Sequence, residues 1–561
     1  MTTELNPSTT SAPSAVSSNL VLDGQGLKDL LSAGLAWLKT NQQIVNALNV
    51  FPVPDGDTGT NMLLTMQAAY NEIANLKETR VGKVGHAISQ GALMGARGNS
   101  GVILSQLWRG FARELDNLET MDAELFVRAL GEARNTAYKG VVRPVEGTIL
   151  TVAKDVAAAG EAALAETKDL HLILEKLVQA ADASVQRTPE LLPILKQAGV
   201  VDSGGKGLFF ILEGMLRHLN HQSLESPLMP VQSLSAINMD DTMETIEPGQ
   251  DLEWVIDFEP KQPLELESFY NALTDIGTSI QLGEGDGMYR LHIHVANEAR
   301  YKAYEYVESI GTIIKGTFEN LVYQLNQKEG DQIPNFNLAG VEPGTIAVIA
   351  VSPGAGISRI FASLGVNAIV EGGQTMNPST EEILRCVENL PTDQVIILPN
   401  NKNIVMAAQN AASMTTKKVR VIHSVSVPQG LSAMLRCMPD GNLDKVAEDM
   451  KSALQDVETG EVTTATRSVE INGIEVREGE VIALLNGKLV LSSQNLSEAI
   501  FGLLEKAETA DRERITLFYG ADIAKDEVNR IADQIRQQYP THEIEIHEGR
   551  QPHYQFIIAI E

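Results

Sequence analysis

Cysteine is nearly missing: Cys386 and Cys437 are the only two in 561 residues. That argues against a disulfide framework and for a reducing compartment, so a cytoplasmic protein is expected. Positive charge is also short, with Lys and Arg totalling 44 against 73 Asp and Glu, a net charge of −29. Such a field repels nucleic acid and anionic membrane surfaces, so neither is expected as a direct partner. A bound polyanion would need metal ions or a local positive site. No apolar run reaches the ~18–20 residues of a membrane span, so no transmembrane segment is expected. Residues 1–19, rich in Ser, Thr and Pro, lack the basic start and apolar middle of a signal peptide and read as a disordered tail.

Two nucleotide signatures are absent as well. Val201-Asp202-Ser203-Gly204-Gly205-Lys206-Gly207 superficially suggests a P-loop, but Gly199 stands one place too early and Gly207 occupies the Ser/Thr position. No Gly-x-Gly-x-x-Gly follows a strand. If the chain is a kinase, it is neither a P-loop enzyme nor a protein kinase.

What is present suggests several domains, roughly 3–4 by length. Residues 20–220 read as all-helical: Leu27, Leu30, Leu31, Leu35 and Leu38 recur at helical spacing, as do Leu125, Val127, Leu130 and Ala133. Further helices are predicted over Leu170–Ala181 and Gly207–His218. Residues 221–250 read as a linker. Residues 251–330 form a predicted small α+β domain, with strands at Leu252–Phe258 and Met288–Val295 and a helix at Lys302–Ile310. Residues 340–561 alternate β-branched runs (Thr345–Val351, Val395–Leu398, Val419–His423) with helical patterns, which predicts an α/β domain with a parallel sheet. A Glu-Gly-x-Gln turn follows a strand twice, at Glu371–Gln374 and Glu548–Gln551, so two lobes are an option.

The chemistry concentrates in Asn49–Met62, Asn-Val-Phe-Pro-Val-Pro-Asp-Gly-Asp-Thr-Gly-Thr-Asn-Met. Pro52 and Pro54 stop any preceding helix, and Gly56 and Gly59 permit a tight turn. Thr58, Thr60 or Asn61 can cap the helix that Met62 begins. Asp55 and Asp57 thus precede a helix N-terminus, where hard oxygen ligands meet free N–H groups; that combination suits a Mg²⁺–nucleotide site. The alternative is a polar surface turn. Gly95-Ala96-Arg97-Gly98-Asn99-Ser100-Gly101, leading into a helix, is a second phosphate cradle in which Arg97 can balance charge, or else an ordinary connection capped by Asn99 or Ser100. His292 and His294 alternate on one strand face, which suits a metal or phosphate, or a hydrogen-bonded His pair.

Leu48–Met62, Gly95–Gln106, Glu146–Val152 and Val201–Leu208 together resemble the nucleotide-binding domain of the L subunit of dihydroxyacetone kinase (DhaL). They resemble more closely its relative in the catalytic subunit of the bacterial fatty acid kinase (the FakA/YloV-like family). Glu371–Ser379, Leu398–Asn403, Ser426–Gly430 and Gly549–Tyr554 are similar to that subunit's C-terminal domain.

The resemblance implies a multidomain α and α/β chain with an N-terminal antiparallel helical barrel. It implies ATP bound through Mg²⁺, two ions, with Asp55 and Asp57 as ligands and Asn49 at the place of a further family Asp. Thr60, Asn61, Ser100 and Gly101 would approach the phosphates, and Thr148 and Asp202 would line the nucleotide pocket. It implies phosphorylation of a fatty acid carboxylate presented by a DegV-type binding protein, giving an acyl phosphate; a carboxylate is already ionised and needs no general base. A homodimer stays open. Two alternatives are the nucleotide-binding subunit of a dihydroxyacetone (glycerone) kinase and a non-catalytic nucleotide-binding regulatory protein. In the family's middle domain a His-x-His and a Cys hold zinc. Here Val255 takes the Cys place, so zinc at His292 and His294 would call on Asp257 or Asp286. Arg550 stands where the family's closing turn has Gly.

Overall fold

The computed structural model describes residues 20–49, 56–141, 143–224, 232–233, 252–285, 288–320, 338–374, 376–465, 468–471 and 473–561. The chain divides into two compact units. One comprises Met1–Leu48 and Thr58–Gln222, the other Asn49–Asp57 and Ser223–Glu561.

The first unit is helical: α1 (Gly24–Thr40), α2 (Gln42–Ala47), α3 (Thr58–Ile73), α4 (Val81–Met94), α5 (Gly98–Glu114), α6 (Ala123–Gly140), α7 (Ile149–Leu164), α8 (Leu170–Leu191), α9 (Pro193–Ala198) and α10 (Ser203–Leu219). The leucine stripe of α1 is buried as its spacing requires. Asp23 caps this helix, accepting from the N–H groups of Gln25 and Gly26 at 3.0 Å. From α4 to α8 each helix packs on the next, and α10 returns from α8 to α1, closing a ring. Its interior holds an apolar cavity of about 70 Å³ lined by Leu27, Leu104, Phe126, Val156 and Ile211 among others.

Two helices differ in length from their predicted spans. Helix α8 continues past Ala181 to Leu191 with Pro189 in its last turns. Proline withholds the N–H that the Val185 carbonyl would accept, and the Thr188 hydroxyl donates there instead at 2.6 Å. Helix α10 starts four residues ahead of Gly207, because Asp202 caps it at Ser203.

In the second unit, β1 (Gln232–Ser233), β2 (Leu252–Pro260), β3 (Gly277–Gly285), β4 (Met288–Val295) and β5 (Gly311–Asn320) form a sheet ordered β1-β3-β4-β2-β5. Strand β1 lies within the stretch read as linker. Helices α11 (Leu266–Thr274) and α12 (Lys302–Ile310) bury Phe269, Leu273, Ala303 and Val307 in the core shared with β2 and β4.

Beyond it, β6 (Ile346–Ser352), β7 (Ala368–Glu371), β8 (Gln394–Leu398) and β9 (Lys418–Val421) make the expected parallel sheet, ordered β7-β6-β8-β9. Every residue of β6 is buried, as suits a strand covered on both faces. Helices α13 (Ala355–Ser363), α14 (Thr380–Asn389), α15 (Val405–Met414), α16 (Val427–Met434) and α17 (Leu443–Ser452) are interspersed with these strands or follow them.

A six-stranded sheet completes the unit, formed by β10 (Glu458–Thr464), β13 (Val481–Leu485), β14 (Lys488–Ser493), β15 (Arg514–Tyr519), β16 (Glu543–Glu548) and β17 (Tyr554–Ile560), with a β11–β12 hairpin (Val469–Ile471, Ile474–Val476). Helices α18 (Leu496–Lys506) and α19 (Lys525–Gln538) cover one face. Both Glu-Gly-x-Gln turns follow strands that run parallel to their neighbour, β7 beside β6 and β16 beside β15.

Candidate nucleotide site and metal cluster

Four helix N-termini of the first unit meet. Ser203, first residue of α10, donates its hydroxyl to Thr58, first residue of α3, at 3.2 Å. Asp202 accepts from the N–H of Gly205 at 2.7 Å and also from the N–H of Ile149, which opens α7. Thr65 of α3 accepts from the Arg97 N–H at 3.4 Å, just ahead of α5. Each helix start carries about half a positive elementary charge. Together they make a candidate anion site in a chain whose overall charge is strongly negative.

Helix α3 begins at Thr58, earlier than a cap at Thr58, Thr60 or Asn61 would place it. Its cap comes from α2. Asn46 Oδ1 accepts from the N–H groups of Gly59 (2.7 Å) and Thr60 (3.2 Å), a role that no local pattern announced. Gly59 makes this approach feasible, since a Cβ there would stand 2.5 Å from the Gln42 carbonyl oxygen. Gly56, at φ +57°, turns the chain just before it. The Thr60 hydroxyl accepts from Gln42 Nε2 (2.9 Å) and Asn46 Nδ2 (3.1 Å). With both acceptor positions engaged, the hydroxyl keeps its own proton to donate.

Asn61 is buried, and its carbonyl accepts from the Thr65 hydroxyl at 2.7 Å. Arg97 is the residue preceding α5, whose first turn contains Ser100 and buried Gly101; the helix starts at Gly98, ahead of Asn99 and Ser100. Thr148 caps α7 and anchors its own hydroxyl on the Val145 carbonyl at 2.7 Å. Burial pushes the Asp202 carboxyl up to about 6, against the pull of the Gly205 and Ile149 N–H groups. Glu146 bonds Lys154 (2.6 Å), Thr151 (2.7 Å) and Tyr138 (3.0 Å), which fixes the turn into α7.

Asp57 is buried. Its carboxylate accepts from Asn49 Nδ2 at 3.5 Å and from Asn377 Nδ2. Asp55 lies outside the described residues.

A DAK2 domain model matches residues 52–217, and the FakA-like C-terminal model of the fatty acid kinases matches 347–561. Protein YloV of Bacillus subtilis is 39% identical over 96% of this chain and 99% of its own length. The chain belongs to the FakA/YloV-like fatty acid kinase family.

An uncharacterised protein of Staphylococcus epidermidis is 38% identical over 96% of this chain and 99% of its own length. The dihydroxyacetone kinase of C. freundii in complex with AMP-PNP and Mg²⁺ aligns over 38% of each chain at 19% identity and TM-score 0.28. The kinase-family domains account for the helical ring and for the final α/β part of this FakA-like chain. No helix among the described residues is long and apolar enough to cross a membrane.

The middle sheet of this family member holds a second constellation. His292 and His294 project from β4 and are 0% and 1% exposed, with ring centroids 4.9 Å apart. Glu253 on β2 stands opposite His294 in register, and its Oε1 lies 2.5 Å from His292 Nε2. One ligand atom from each of the three residues lies within 4.8 Å of the others. Neither His294 ring nitrogen has a protein partner, nor does the Thr278 hydroxyl opposite it on β3. Burial, then the charge of His292, lowers the His294 imidazole to about 4, opposed by Glu253.

The expected substitute Asp257 is engaged elsewhere, in two bonds to Arg290 at 2.6 and 2.9 Å. Asp286 lies outside the described residues. Val255 pairs with His292 across the two strands. The carboxylate that joins the pair is Glu253, which the sequence reading missed. Its signal was the strand alternation that puts residues 253 and 255 on one face.

Proposed function

We propose that this chain uses ATP to phosphorylate the carboxylate of a fatty acid presented by a DegV-type binding protein, giving an acyl phosphate. The carrying observation is the meeting of four helix N-termini with Thr60, whose hydroxyl accepts two bonds and keeps a proton to donate, in a chain matched by a FakA-like model. Thr60 and the N-termini of α5 and α7 would hold ATP phosphates by donation, and Asp202 would hold the α7 and α10 starts in place. The residues fit magnesium: the Asn49 and Asn377 amides that bond Asp57 carry no charge of their own, and a carboxylate has about four acceptor sites. Asp55 and Asp57 would supply oxygen ligands for two Mg²⁺ ions. When bound, these ions neutralise phosphate charge and align the transferred group. A carboxylate oxygen of the substrate bonds to the γ-phosphorus as its bond to the β,γ-bridging oxygen breaks; ADP leaves and no proton moves.

Incubation with Mg-ATP, a fatty acid and DegV-type partners, with hydroxylamine trapping, should yield acyl hydroxamate. No product above an Asp57→Ala control across several partners sinks this reading. Turnover of dihydroxyacetone in its place supports the glycerone kinase alternative.

In the middle sheet the same reading has Glu253, His292 and His294 holding zinc, with the carboxylate in place of the family thiolate. The partnerless His294 nitrogens fit such an ion, which would tie β2 to β4. Purified protein should carry about one zinc per chain by elemental analysis; less than half in both wild type and Glu253→Ala removes the assignment.

A further inference from the structure

The Glu371–Ser379 motif lies some three hundred residues from the loop that precedes α3, and nothing in the proposed chemistry yet accounts for it. Residues Asn49–Asp57 nonetheless belong to the same compact unit as Ser223–Glu561. Within that unit Asn377 Nδ2 donates to Asp57 Oδ2, with both residues buried. The turn that presents Asn377 is fixed at both ends. Gly372 N–H donates to the Ser352 carbonyl and Gly373 N–H to the Met376 carbonyl, each at 3.0 Å. On the other side Ser379 and Glu382 form a reciprocal capping box at the start of α14, with bonds of 3.1 and 2.6 Å. Gln374 accepts from Asn401 Nδ2 at 2.8 Å, which ties the turn to the loop after β8. The turn thus presents a neutral amide to a carboxylate.

The chemistry of that donor matters. A Lys or Arg in its place would neutralise Asp57 and compete with a cation. An amide fixes the orientation of the carboxylate, occupies one acceptor site and leaves the negative charge whole. Groups that bond a metal-ligating carboxylate from behind set its aim, and their loss typically weakens metal binding about 10–100-fold.

We propose that Asn377 is a positioning residue for Asp57, holding its carboxylate in the orientation in which it would bind a metal ion. This rests on the reading of Asp57 as a metal ligand. The test uses the full chain with a non-hydrolysable ATP analogue and Mn²⁺, reading bound metal by electron paramagnetic resonance. Asn377→Leu should weaken Mn²⁺ binding about 10-fold while its melting temperature reports folding separately. Asn377→Ser, too short to reach Asp57 but small enough for any packing, should show the same loss. In ATP turnover the Mg²⁺ concentration for half-maximal rate should rise, with most of kcat recovered at saturating Mg²⁺. Mn²⁺ affinity within twofold of wild type in both folded variants overturns the proposal. Absence of Mn²⁺ binding by the wild-type chain overturns instead the assignment of Asp57 on which it depends.

Discussion

The two polar centres of this chain differ in how completely the protein satisfies them. At the head of α3, Asn46 and Gln42 bond Thr60, and Ser203 bonds Thr58; the Thr60 hydroxyl keeps its own proton to donate. In the middle sheet, His294 is fully enclosed and neither ring nitrogen has a protein partner. An unpaired buried polar group costs about 1–3 kcal/mol, a cost that a resident ion would remove. On the function proposed above, the first centre would take a ligand that arrives and leaves with each turnover, and the second one that stays.

That contrast can be broken experimentally. The largest expected effect is on stability when metal is withdrawn. Chelation should lower the melting temperature of the wild-type chain by several degrees and leave Glu253→Ala unmoved, measured by calorimetry in the same buffer. Equal shifts in both would erase the distinction between a resident and a visiting ligand.

A third, half-buried group lies outside both centres. Glu461 lies in β10 between Leu484 and Ile557 in register, and burial pushes its carboxyl from 4.5 up to about 7, opposed by Lys402. A carboxyl raised in the folded state stabilises the fold below its unfolded value, and that contribution is lost as pH rises through the folded value. The wild-type chain should therefore lose roughly 2–3 kcal/mol between about pH 4.5 and 7 from this group. Glu461→Gln should flatten that part of the denaturation profile; an unchanged slope would refute the assignment.

The smallest effect is at Thr60. Thr60→Val removes one donor, so KM for ATP should rise up to about tenfold, the scale of one hydrogen bond to a charged group. The melting temperature should fall only slightly. A large stability loss with unchanged KM would make Thr60 a purely structural link between α2 and α3.

How much of this was legible beforehand depends on the range of the interaction concerned. The α1 leucine stripe, the parallel run of β6, β8 and β9 and the strand bearing both histidines follow from periods of 3.6 and 2, which are local properties of a backbone. The ends of helices were less readable. Helix α3 starts early because Asn46 reaches it from another helix, and α8 runs on because Thr188 stands in for the N–H missing at Pro189.

The sequence by itself determined the classes of element, the candidate nucleotide-site motif and the pairing of His292 with His294. Tertiary structure alone decided that Glu253, and not Asp257, completes that cluster, because Arg290 across the sheet engages Asp257. It also decided that Asn377 meets Asp57. The physical reason is common to both: a side chain's partners are set by strand register and loop packing, and these bring together residues whose separation along the chain carries no periodic trace.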